Sequence, residues 1–309
     1  MYSKWVSSST EGSQEVAMKT LLVTGSEGFI GSHLVKYLEG RYRIIHFDKA
    51  LGQDIRIKED LEAVFSENKV DCVIHLAALA GVRPSIESPL LYLENNVTGT
   101  MNLLEVMNKY DCKKIVFASS SSVYGNNFSG EPSKETDERK PISPYAFTKA
   151  SVEDMLKLYN SMYNIDSIST RFFTVYGPNQ RKDLAISKFI RAIREGSEIN
   201  VYGDGAQCRD YTFVGDIVSG INKSIEKVLE NSMCECVNLC SGHTVSVNEV
   251  IKKLFKIAGK EVKVKYEDKK LGDVNITYGN NEKARKVLNW KPEVSIDEGL
   301  EQQFNGVIK

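Results

Sequence analysis

The chain has 309 residues, enough for a large α/β unit with an appended lobe and a deep cleft. Its 40 Lys and Arg against 41 Asp and Glu leave no basic excess, which argues against a general nucleic-acid binder but allows a local basic pocket. No apolar run reaches the length of a membrane span, so no membrane attachment is expected.

Residues 1–17, MYSKWVSSSTEGSQEVA, are Ser-rich and lack the apolar core of a signal peptide; they are expected to form a flexible extension before a fold starting near Met18. KTLLVTG then reads as a buried strand and Phe29–Glu39 as a helix. RIIHFD is a second strand, Leu61–Asn68 a helix and DCVIHLAA another strand. Pro89–Tyr110 reads as one long helix with Asn95 and Asn96 early in it, followed by the strand KKIVFASS. A helix over Pro144–Tyr163 and a strand DSISTRFFTVYG come next. Continuous apolar strands alternating with helices predict a doubly wound α/β fold, its parallel sheet covered on both faces. After Gly177 the rhythm loosens, with helices at Ile186–Arg194, Asp216–Glu230, Val247–Ala258 and Glu282–Leu288. The expected division is a nucleotide-binding and catalytic domain over 18–177 and a mainly substrate-binding lobe over 178–309, interleaved with late strands of the sheet. Six cysteines in a chain this long read as reduced thiols of a cytoplasmic protein. Cys234, Cys236 and Cys240 match no common zinc spacing, and no metal is expected.

LLVTGSEGFIGSHL places Gly25, Gly28 and Gly31 three apart, directly after a strand and before a helix. Glycines there allow the tight turn, the approach of main chain to a pyrophosphate and the packing of helix on sheet. The helix N-terminus then holds the anion. Asp48 closes the next strand about twenty residues on, where a carboxylate binds the ribose of a dinucleotide. That arrangement makes the expected sheet a Rossmann fold. Asp48 favours NAD over NADP, because a carboxylate repels a 2′-phosphate; Lys49 beside it blurs the preference. An NADPH-consuming reductase is disfavoured on the same ground.

Tyr145-Ala-Phe-Thr-Lys149 opens a predicted helix, so the two side chains share a face. A tyrosine near pKa 10 is a poor base at neutral pH; a neighbouring ammonium and a positive nicotinamide ring are expected to bring it down. The Ser-rich strand end FASSSSVYG supplies hydroxyls nearby.

With these residues in view, the sequence resembles the extended short-chain dehydrogenase/reductase family, in particular its NAD-dependent sugar-nucleotide epimerases. The resemblance rests on TGSEGFIGSHL, HLAALAGVRPS, NNVTGTMNLLE, FASSSSVYG, SPYAFTK, RFFTVYGP and CRDYTFVGD, in the family's order across nearly all of 19–300. It implies Tyr145 as general base, Lys149 as its partner on the nicotinamide ribose, and Ser120 as the hydroxyl that bonds the reacting sugar oxygen. It implies cofactor contacts from Gly25, Gly28, Phe29, Ile30 and Gly31, from Asp48 and Lys49, and from Asp54 and Ile55 at the adenine. Leu76, Ala77, Ala78, Ala80, Asn95 and Phe172 complete that set. Substrate contacts are implied for Val82, Arg83, Ser85, Ser120, Ser121, Ser122, Tyr145, Thr174 and Tyr202, with Arg209 and Asp273 gripping the nucleotide. The resemblance also implies a homodimer built on the apolar faces around Asn95–Tyr110 and Ala150–Tyr163.

Dehydratases of the family carry Asp-Glu after the catalytic hydroxyl, and decarboxylases a Glu two positions after it; here those places hold Ser121 and Ser122. The simplest chemistry left is removal of hydride from C4 of a UDP-sugar and its return to the other face. FFTVYGPNQRKDLAI resembles the corresponding stretch of UDP-glucuronate 4-epimerases, which makes Arg181 a candidate for the sugar carboxylate and Arg83 a second cation nearby. Thr174 stands where UDP-galactose epimerases usually have Asn, and Thr277 where galactose-restricted ones carry a bulky Tyr. Asn179 and Lys182 depart from the uronate pattern, which keeps UDP-glucose and UDP-N-acetylglucosamine open as substrates. A non-catalytic NAD-binding regulator is the alternative class, and an intact Tyr145/Lys149/Ser120 set argues against it.

Overall fold

The computed structural model describes residues 18–126, 130–268 and 274–306; the extension over 1–17 and the candidate residue Asp273 lie outside the described residues. The first half alternates strand and helix: β1 (Thr20–Thr24), α1 (Phe29–Leu38), β2 (Arg43–Phe47), α2 (Lys58–Glu67), β3 (Cys72–His75), α3 (Val82–Glu87), α4 (Pro89–Leu93), α5 (Gly99–Lys109) and β4 (Lys114–Ser120). Then follow α6 (Pro144–Tyr163), β5 (Asp166–Phe172) and β6 (Thr174–Tyr176). The second half holds α7 (Ala185–Glu195), β7 (Ile199–Tyr202), β8 (Cys208–Phe213), α8 (Val214–Glu230) and β9 (Cys234–Leu239). It ends with β10 (Thr244–Ser246), α9 (Val247–Ala258), β11 (Val264–Glu267), β12 (Ile276–Thr277), α10 (Glu282–Leu288) and α11 (Ile296–Gly306).

Six strands form the central parallel sheet in the order β2-β1-β3-β4-β5-β9. The Rossmann-type expectation is met. All five residues of β1 are buried, and alternate side chains go to opposite faces: Leu21 and Val23 join one core with α1 and α8, Leu22 the other with α2, α5 and α6. The chain runs from β1 to β2 on one side and returns to β3 on the other. A crevice therefore opens at the carboxyl ends of β1 and β3, where open α/β sheets bind ligands. Smaller sheets, β10-β8-β12 with β6 beside β8 and β11-β7, belong to the second half.

Local sequence fixes the helix that matters most to the site. Ser143 accepts a hydrogen bond from Ala146 N at 3.1 Å and Pro144 takes the first turn, so α6 starts one residue before Tyr145. Two expected elements are divided. The helix over Pro89–Tyr110 passes through a π-helical segment, Glu94–Thr98, where Asn96 bonds both Leu79 N (2.8 Å) and Leu79 O (3.0 Å) and reaches Thr148 Oγ1 at 3.1 Å. Serving the loop after β3 takes that side chain out of α-helical spacing. The strand DSISTRFFTVYG breaks at Phe173, which packs with Val123, Tyr124, Ala150 and Cys240; β6 then leaves the main sheet to pair with β8. Helices α3 and α11 were not foreseen. No helix among the described residues is long and apolar enough to cross a membrane.

His75, fully buried at the end of β3, lies 2.7 Å from Thr24 Oγ1 through Nδ1 and 2.9 Å from Thr100 Oγ1 through Nε2. Thr100 donates its own proton to Asn96 O at 2.6 Å, so it accepts from Nε2–H and leaves Nδ1 to accept from Thr24. Burial, with Lys149 adding to it, lowers this imidazole to about 3. An unfolded histidine takes up its proton near pH 6.5. Between those values the unfolded chain holds the extra proton, so stability falls as pH drops, by at most about 1.4 kcal/mol per pH unit from this group. Urea midpoints measured from pH 7 to 4 are expected to fall less steeply in His75→Gln than in the parent.

Candidate active site

The glycine loop between β1 and α1 is closed against its neighbours. A Cβ on Gly25, whose φ is +74°, would lie 2.7 Å from Ala77 N, and one on Gly31 would lie 2.0 Å from Gly25 O. Gly28 caps α1 with no side chain on its first turn, which leaves those N–H groups for an anion. Asp48 stands just past β2 and accepts from Glu27 N at 3.0 Å and Ala50 N at 2.8 Å, which fixes its carboxylate beside the loop.

Gly25, Gly28, Asp48, Lys49, Asp54, Ile55, Leu76, Ala77, Ala78 and Asn95 line one cavity. Phe29, Ile30, Gly31, Ala80 and Phe172 line the next, which shares Gly25, Gly28, Leu76 and Ala78 with the first and contains Ser120, Tyr145, Lys149, Thr174 and Arg181. The cleft thus has a carboxylate at one end, an open helix N-terminus in the middle and the catalytic candidates at the other. These residues fit a dinucleotide. Asp54 is already bound by Arg56 in two-pronged fashion and by Lys49 at 3.5 Å; the Arg56 hydrogen bonds hold its carboxyl well below the usual range.

At the catalytic end Tyr145 and Ser120 line the same cavity, and the Ser120 hydroxyl draws the Tyr145 phenol down. Ser120 also caps the short 3-10 turn after β4, accepting from Ser122 N at 3.2 Å and Ser122 Oγ at 3.0 Å. Lys149 is buried, donates to Ala118 O at 2.7 Å and lies 5.9 Å from the centre of the Tyr145 ring. Burial pushes Tyr145 up, and the Ser120 hydroxyl pulls it only partly back. Burial also lowers Lys149, to about 7, against the pull of Glu153. Tyr92, unmarked in the sequence, meets Tyr145 edge-on at 6.3 Å and donates to Ala80 O at 3.1 Å.

Arg83, Thr174, Tyr202 and Arg209 line a third cavity, of about 310 Å³, which shares Thr174 and Leu184 with the second. Arg83 stacks over Tyr202 at 4.9 Å. Gln207 shares this pocket and was missed: its Nε2 donates to Tyr202 O at 2.8 Å, while its buried Oε1 has no partner among the described residues. No sequence signal short of its place beside CRDYT marks it. Arg181 donates to both carboxylate oxygens of Asp183, at 3.0 and 2.6 Å, and to Ala80 O at 3.3 Å.

Five candidates do not line these cavities: Val82, Ser85, Ser121, Ser122 and Thr277. Ser85 is buried and donates to Val82 O at 2.6 Å, the geometry of a helix side chain bonding its own turn. Ser121 and Ser122 belong to the 3-10 turn behind Ser120. Thr277 sits on β12 with its hydroxyl 3.4 Å from Asp210 N. Among the described residues no group of three or more His, Cys, Asp or Glu is arranged to hold a metal.

Comparison with known proteins agrees with this geometry. Residues 21–240 match the NAD dependent epimerase/dehydratase family. The chain is 37% identical to a UDP-glucuronate 4-epimerase of Thermodesulfobacterium geofontis, over 92% of this chain and 94% of the relative. It is 33% identical to the rice UDP-glucose 4-epimerase 2, over 94% and 82%. Among solved structures it is similar to the Bacillus cereus UDP-glucuronic acid 4-epimerase in complex with UDP-glucuronic acid and NAD, with a TM-score of 0.86, 31% identity, and coverage of 93% and 98%. The UDP-glucose 4-epimerase of Thermus thermophilus in complex with NAD gives a TM-score of 0.87 at the same identity and coverage. On its glycine loop, its parallel sheet and these full-length likenesses, the chain belongs to the NAD dependent epimerase/dehydratase family.

Proposed function

We propose that the protein is a 4-epimerase of UDP-sugars that acts on UDP-glucuronate to give UDP-galacturonate. One observation carries the reading: Ser120, Tyr145, Lys149 and Arg181 meet in one cavity at the end of the dinucleotide cleft. Bound there, NAD⁺ would take the C4 hydride and return it, and its positive ring would favour the Tyr145 phenolate. Tyr145 takes the proton of the sugar 4-hydroxyl as C4 loses hydride, giving a 4-keto sugar. Ser120 holds the reacting oxygen. Lys149 supplies the positive charge that keeps the phenolate available. The keto sugar turns over, and Tyr145 gives the proton back to O4 when hydride has reached the other face. The UDP is assigned to the pocket of Arg83, Tyr202 and Arg209.

A uronate makes the keto intermediate a β-keto acid, prone to lose CO₂ when its carboxylate aligns with the ketone. Arg181 is assigned to hold that carboxylate out of alignment, and Ser122 in place of Glu fits a site not built for decarboxylation. The Arg181–Asp183 pair favours a second reading, since a neutral UDP-glucose or UDP-N-acetylglucosamine leaves it intact. The division at residue 177 into an NAD-binding half and a mainly substrate-binding half is kept as part of the proposal. So are a cytoplasmic location and a homodimer, the latter supported by Phe147, Leu158 and Met162, which leave the outer face of α6 apolar at 53%, 54% and 56% exposure, beside Met101 of α5.

NMR of the anomeric and H4 signals is expected to show UDP-glucuronate converted to UDP-galacturonate, with Arg181→Ala losing roughly ten- to a hundredfold in kcat/KM on that substrate alone. Turnover of only the neutral sugars keeps the chemistry and overturns the uronate. Tyr145→Phe is expected to lower kcat by about 10² to 10⁴ with nucleotide binding retained. Gly31→Ala is expected to abolish retention of NAD through purification while circular dichroism stays that of the parent, because its Cβ strikes the loop backbone.

A further inference from the structure

Glu153 lies one helical turn beyond Lys149 on α6 and is 3% exposed. Its Oε1 accepts from Ser119 Oγ at 2.6 Å and from Arg171 Nε at 2.9 Å. Its Oε2 accepts from Arg171 Nη2 at 2.7 Å and from Arg139 Nη1 at 3.3 Å. Arg171 also donates to the Tyr124 hydroxyl at 2.8 Å, which donates to Asn238 Oδ1 at 2.7 Å. Arg139 Nη1 also donates to Ala150 O at 2.8 Å, and its Nη2 donates to Asp154 at 2.6 and 2.8 Å.

Each partner adjoins a residue of the catalytic end. Ser119 stands between Ala118, whose carbonyl holds Lys149, and Ser120, which lines the cavity with Tyr145. Arg171 precedes Phe172, which lines the cleft. One carboxylate therefore ties together α6, β4 and β5 at the level where Tyr145, Ser120 and Phe172 face the ligand. A buried ion pair is weak evidence for stability, since apolar residues of similar volume often serve as well. We propose that Glu153 is a positioning residue for this enzyme, fixing the protonation of Lys149 by its charge and the alignment of Ser120 and Tyr145 by its bonds. The inference rests on the reading of Lys149 as the partner of Tyr145.

The charges around Lys149 are few. On its own helix are Tyr145 and Glu153; His75 faces it from β3, and β4 offers the Phe117 ring at 4.8 Å and the Ala118 carbonyl. Behind Glu153 stand Arg171 from β5, Arg139 from the loop before α6, Tyr124 from the 3-10 turn and Cys236 from β9, its thiol 3.9 Å from Oε1. Two guanidiniums balance Glu153 and Asp154. Neutralising Glu153 leaves the cluster positive and drives the proton off Lys149. Neutralising Arg139 leaves it negative and holds that proton more tightly. The two changes have opposite signs, which a merely structural role does not produce.

The experiment uses NAD-bound protein with carbon-13-labelled lysine, the Lys149 resonance being identified by its loss in Lys149→Met. Glu153→Gln is expected to lower the pH at which Lys149 titrates by on the order of one unit, and Arg139→Gln to raise it. In turnover assays the alkaline limb of kcat moves in the same two directions. Lower melting temperatures with the Lys149 titration unmoved in both variants would overturn the proposal. Should Glu153→Gln fail to fold, an unmoved titration in Arg139→Gln overturns it alone. A parent that turns over no UDP-sugar sinks the proposed function instead, and the Lys149 titration still decides this inference.

Discussion

Everything in the cleft depends on how closely α1 is pressed onto the turn that precedes it. With Gly31 against Gly25 and Gly25 against Ala77, there is no room for a single methyl group at either place. That closeness brings the uncapped N-terminus of α1 to the crevice between β1 and β3, and it seats Asp48 within reach of the same loop through Glu27 N. The groups that α1 offers to an anion are backbone amides, which cannot be substituted away; only the glycines that admit them can be lost.

At the other end the governing term is desolvation. Lys149 is buried and Tyr145 half-buried, which lowers the ammonium and raises the phenol, so both are moved towards their neutral forms. Chemistry that needs a phenolate beside an ammonium must recover both charges. In the proposed mechanism the positive ring of bound NAD would serve the first and the carboxylate of Glu153 the second. The pair is thus poised by its surroundings, with His75 kept neutral nearby so that it adds no competing charge.

The sequence made the strand–helix rhythm legible because its signals are local: apolar runs, glycines three apart, and Ser143 with Pro144 opening α6. The candidates for the cofactor stand on loops and strand ends scattered from Gly25 to Phe172, and the parallel sheet brings them to two adjoining cavities. What was hidden depends on distant partners. Asn96 bonds Leu79 and so opens a π-helical turn; Phe173 finds Tyr124 and Cys240 and so splits a strand; Arg181 is claimed by Asp183 and reaches Ala80. Ser85, Ser122 and Thr277 stand at positions the family resemblance marks, yet their hydroxyls are engaged by backbone or by a neighbouring serine. Glu153 carried no signal at all, because a glutamate in a helix reads as surface until Arg171 and Ser119 are brought to it.

The break at Phe173 has a consequence for the order in which the chain comes together. After β5 the polypeptide leaves the central sheet, builds β6, α7, β7 and β8, and only then supplies α8 and β9. Until residue 239 exists, β5 has an open edge, and Leu21, Val23 and Leu34 lack the α8 side chains that complete their core. A fragment ending at residue 177 would carry every glycine of the cofactor loop and the Tyr145–Lys149 pair, yet no finished sheet to hold them. Residues 18–177 and the segment that supplies α8 and β9 therefore share one core and one sheet, and neither closes without the other.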